Sequence, residues 1–124
     1  MILAGSFGLV SSIYIEANIE LSNVFNCVSV HLFLFEALYI FGDHKRSGVS
    51  VKTASWIKRT LMLGDLEFVV GALLDVILSY MYLFDDTADW DVSLTIVAIF
   101  AAICWLHCSI IYIAAYFYAP EAVL

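Results

Sequence analysis

From residue 61 to 84 the chain reads LMLGDLEFVVGALLDVILSYMYLF, and residues 93–118 carry no charge over 26 positions. At 1.5 Å per residue either run is long enough to cross a hydrocarbon core about 30 Å thick, so each predicts a transmembrane helix. The eight residues between them, DDTADWDV at 85–92, form a short acidic turn. The two runs therefore read as an antiparallel hairpin, with Pro120 as a stop after the second.

The first 41 residues are also apolar, but Glu16, Asn18, Glu20, Ser22 and Asn23 interrupt them. Breaking the stretch there gives two helices of 18 residues, 2–19 and 24–41, both near the short limit for spanning. Ser22 or Asn23 would cap the second. The alternative is one long first helix and three spans. The break is preferred because it puts both acidic clusters on one side, opposite the polar segment 42–60. The expected fold is an all-α integral membrane protein, a single domain over 1–124, built as an antiparallel bundle of four transmembrane helices.

Composition strengthens the membrane reading. Hydrophobic residues make up 64% and charged ones 14%, too apolar for a soluble domain of this size, which leaves much of its surface in water. Disordered chains, nucleic-acid binders and disulfide-stapled secreted domains are excluded. No cleavable signal peptide is expected, because no positive n-region precedes the first apolar run.

The net charge of −7 is sorted along the chain. Lys45, Arg46, Lys52, Lys58 and Arg59 are its only basic residues besides histidine, and all fall within fifteen positions. Cationic loops stay on the side of synthesis. Loop 42–60 should thus face the cytoplasm, matrix or stroma, and the acidic turn 85–92 the opposite side. An organellar inner membrane, a thylakoid or a prokaryotic plasma membrane would each suit.

Polar groups inside apolar spans are the candidate functional residues, since they are costly in hydrocarbon and face protein or water. Glu67, Gly71, Asp75 and Ser79 recur every four residues, on one helix face. Asp75, near the middle of its span, must be protonated or partnered, and His31 and His107 lie at similar depth. An intramembrane cluster of Asp75, His31, His107 and Glu67 reads first as a hydrogen-bonded network locking the helices, and second as a proton relay. The two histidines also raise bis-histidine haem, although no cofactor is expected. Cys104, His107 and Cys108 share one side of a helix with zinc-like chemistry, but helix packing is the preferred explanation and no metal is predicted. Glu36 and Asp65 with Lys58 and Arg59 suggest interfacial ion pairs. Ala4, Gly8 and Ser12 form a small-residue face suited to helix docking.

The sequence contains no nucleophile with its base, phosphate-binding loop or His-Glu zinc motif, so no catalytic residue is assigned and an enzyme is not expected. The leading expectation is a small non-catalytic integral membrane subunit that stabilises or assembles a larger complex, as subunits of this build do in respiratory and photosynthetic membranes. Its partners would be lipids and other integral membrane subunits. A proton- or cation-conducting element and a haem- or quinone-binding redox subunit are the alternatives.

Overall fold

The structure is a computed structural model that describes residues 2–14, 17–47, 55–84 and 91–119. These form four α-helices, α1 (Ile2–Tyr14), α2 (Ile19–Ser47), α3 (Ser55–Phe84) and α4 (Asp91–Tyr118).

The interruption in the first 41 residues is a true break, which removes the long-first-helix alternative. It falls earlier than the composition suggests. The amides of Ala17 and Asn18 both donate to the Tyr14 carbonyl, 3.1 and 2.8 Å away, and close α1. Asn18 then caps α2, its Oδ1 accepting from the Leu21 amide at 3.0 Å, the bond an N-cap makes to the third helical residue. The expected caps do other work. Ser22 turns inward toward α1, and Asn23 donates to the Tyr82 carbonyl on α3 at 3.2 Å.

With the break at this point α1 has only 13 residues, a reach of about 20 Å against a hydrocarbon core of about 30 Å. The expected span 2–19 is therefore corrected to a shorter helix. The others exceed their apolar runs, α2 with 29 residues and α3 with 30. Hydropathy marks the apolar part of a helix rather than its ends, and Lys and Arg are good helix formers. Much of the expected basic loop is accordingly helical. His44, Lys45 and Arg46 occupy the last turn of α2, where cations favour the helix dipole. Lys58 and Arg59 lie near the start of α3. Residues 48–54, residues 85–90 of the acidic turn and Pro120 lie outside the described residues.

Each helix packs antiparallel on its neighbour in sequence, α1 on α2, α2 on α3 and α3 on α4. Between α1 and α2 the contact is a seam of small residues. The Ser11 and Ser22 hydroxyls each donate to the other's carbonyl at 2.9 Å, and Ser29 donates to the Ala4 carbonyl at 2.7 Å. Ser11 beside Ser22 and Ala4 beside Ser29 set α1 along the first half of α2. Further along, Ala37 of α2, Phe68 and Ala72 of α3 and Cys108 of α4 form one buried cluster. The α3–α4 contact is closest at two glycines. A Cβ at Gly64 would stand 2.9 Å from Ile111 Cγ2, and one at Gly71 would stand 3.3 Å from Cys104 Cβ.

Large apolar side chains also cover the outside, among them Phe35, Ile103, Leu106 and Phe117. Among the described residues two helices are long and apolar enough to cross a membrane, α2 over Ile19–Arg46 and α4 over Val92–Tyr118.

Candidate functional site

The acids of α3 are all met by groups from neighbouring helices. Asp65 is fully buried and ties α3 to two of them. Its Oδ2 accepts from His44 Nδ1 of α2 at 2.7 Å, and its Oδ1 accepts from the Tyr112 hydroxyl of α4. Glu67 meets His107 of α4, whose Nδ1 lies 2.8 and 2.7 Å from the two carboxylate oxygens. Asp75 accepts from Trp105 Nε1 at 2.7 Å. The Trp105 ring is held edge-on by Phe33 of α2 and Phe68 of α3, with centroids 5.8 and 5.1 Å away.

The structure thus separates the four residues grouped as an intramembrane cluster. Glu67 pairs with His107, and Asp75 with a tryptophan. His31 belongs to the α2–α3 contact, its Nδ1 donating to the Cys27 carbonyl at 2.7 Å and its Nε2 accepting from the Tyr80 hydroxyl at 3.3 Å. His31 thus makes its contacts between α2 and α3, and His107 makes its contact between α3 and α4. Glu67 and Asp75 stand about 12 Å apart along the helix, with the tightly packed Gly71 between them. A row at intervals of four drifts about 40° per step, so Glu67, Gly71, Asp75 and Ser79 do not share one narrow face. Ser79 is buried and donates to the Val76 carbonyl.

At the basic end, Asp65 pairs with His44 and Tyr112 rather than with Lys58 or Arg59, which are half-buried and exposed respectively. Glu36 is half-buried on α2. Cys108 is in the core and donates to the Trp105 carbonyl, while Cys104 packs against Gly71. With His107 turned to Glu67, the three do not converge, and no group of three or more potential ligands is placed to hold a metal among the described residues. On α1, Ala4 and Gly8 face α2, whereas Ser12 is exposed and bonds back to the Gly8 carbonyl. The inward position is taken by Ser11.

His44, Trp105 and Tyr112 are the site residues that sequence reasoning missed. Titratable groups at matching depth are the expected partners of an intramembrane acid, and His44 lies in the stretch 42–60 expected to be loop. The available signal was that a buried indole N–H or phenol O–H needs an acceptor. Trp105 and Tyr112 are spaced by seven on the same helix side as Cys108.

No family model, curated protein or solved structure matches the chain.

Proposed function

We propose that this chain is a small integral membrane protein acting as a non-catalytic subunit that stabilises or assembles a larger membrane complex. In this reading α2, α3 and α4 cross the bilayer, α1 lies along one half of α2, and the basic ends of α2 and α3 stay on the side of synthesis. The membrane placement is supported by the outward apolar surface. Only 17% of the apolar window in α2 or α4 is buried within the protein, unlike a core helix of a water-soluble fold.

One observation carries the functional reading: Asp65, Glu67 and Asp75 are each bound to a residue of an adjacent helix. Acids engaged in this way fasten the bundle together instead of lining a path. Native mass measurement of the chain extracted in mild detergent tests the proposal. Co-migration with unlike membrane subunits at fixed stoichiometry is expected. Release free of any unlike subunit overturns it, as does proton or cation flux through vesicles reconstituted with the chain alone.

A further inference from the structure

Of the three fastenings on α3, the one between Glu67 and His107 opens outward. The His107 side chain is 52% exposed and that of Glu67 22%, while Asp65 is at 0%. Each of the two residues lies about 4 Å from the midpoint of its own helix. Glu67 and His107 immediately precede Phe68 and Cys108, which pack with Ala37 of α2. One residue turns a helix by about 100°, so the pair sits on the flank of α3 and α4 that faces away from α2. His107 Nδ1 is taken by Glu67, whereas its Nε2 has no partner among the described residues.

In the membrane placement proposed above, this flank would set an ionisable pair and an unsatisfied ring nitrogen against hydrocarbon at mid-depth. Such groups are normally covered by protein. The same flank continues into a shallow apolar groove of about 40 Å³ between the start of α3 and the end of α4, lined by Trp56, Ile57, Thr60, Ala114 and Tyr118. Ala114 follows His107 by two helical turns and leaves room for close approach.

We propose that a second copy of the chain docks on this α3–α4 flank, about a two-fold axis along the membrane normal. Such an axis keeps every residue at the depth of its counterpart and sets α3 of one copy opposite α4 of the other. Glu67 then faces the partner's His107, and His107 faces the partner's Glu67. The free Nε2 of each imidazole donates to the carboxylate across the axis, closing a ring of two acids and two histidines. This charge pattern is self-complementary, which is why a like chain fits it.

The inference rests on the membrane placement but not on the presence of unlike subunits. Energy transfer between separately labelled copies of the full chain, measured in vesicles over a series of lipid dilutions, tests it. The wild-type chain is expected to dimerise reversibly. Ala114→Trp adds bulk at an exposed position, and the double substitution Glu67→Leu with His107→Leu removes both polar groups together. Each should weaken the dimer by about tenfold or more at unchanged helix content. A wild-type chain that stays monomeric at the highest protein-to-lipid ratio overturns the proposal, and so does a dimer unaffected by both variants. A dimer lacking unlike partners would support this inference while defeating the subunit reading. A complex containing a single copy would do the reverse.

Discussion

Asp75 and Asp65 differ in how many donors depend on them. Among the described residues Asp75 accepts from Trp105 Nε1 alone, while Asp65 accepts from both His44 and Tyr112. Replacing Asp75 with Asn keeps an acceptor oxygen in place, so little stability should be lost. Asp75→Leu strands the indole N–H, at about 1–3 kcal/mol for an unsatisfied buried donor. Asp65→Leu strands two donors and should cost more than Asp75→Leu. Thermal unfolding in detergent would rank the three; equal losses from the two leucine variants would show that the second donor at Asp65 finds another acceptor. The need for partners was legible in the sequence, because an acid inside an apolar helix cannot be left alone. Their identity was not, because the choice among His31, His107, Trp105 and Tyr112 depends on helix rotation, which periodicity does not reveal.

Helix contacts turn on how near the backbones come. A Cβ added at Gly5 would meet nothing within 4 Å, one at Gly8 would stand 3.2 Å from Ser29 Oγ, and one at Gly64 only 2.9 Å from Ile111 Cγ2. Gly5→Ala should therefore stabilise α1, by up to about 1 kcal/mol from helix propensity. Gly8→Ala must displace a hydroxyl already bonded to the Ala4 carbonyl. Gly64→Ala collides with a branch close to the α4 backbone and should lose about 1–3 kcal/mol, as overpacked cores do. Unfolding midpoints should fall in the order Gly5→Ala, Gly8→Ala, Gly64→Ala. A Gly64→Ala variant as stable as Gly5→Ala would mean that α4 shifts freely against α3. The elements themselves were largely legible: α4 begins two residues before its apolar run and ends with it, and α3 ends where the run ends. The α1–α2 break was harder to place. Five polar residues crowd residues 16–23, any of which suits a turn, and only the backbone geometry selects Asn18 as the cap.

For the molecule as a whole, the sorting of charge predicts orientation. Single cysteines introduced at Ser50 and Thr87, in a chain with its three native cysteines replaced, should label from opposite sides of the membrane with an impermeant reagent. Labelling of both from one side would sink the proposed placement of α3. Asn18 should label from the Thr87 side, since α2 and α3 are antiparallel. The end of α1 was beyond the reach of hydropathy, which continues apolar through Tyr14 and Ile15 and gives no sign that the helix is closed at Tyr14.

Because every helix packs on its sequence neighbour, the order of synthesis is also an order of assembly. As α3 emerges from the ribosome, α2 is already present and offers His44 to Asp65. Tyr112, His107 and Trp105 all belong to α4. Until that helix arrives, Glu67 and Asp75 lack the donors that hold them in the finished bundle, and Asp65 has one of its two. The last helix is therefore the closing piece. A chain halted after Phe84 would leave the acids of α3 only partly answered, without any of the partners that α4 supplies.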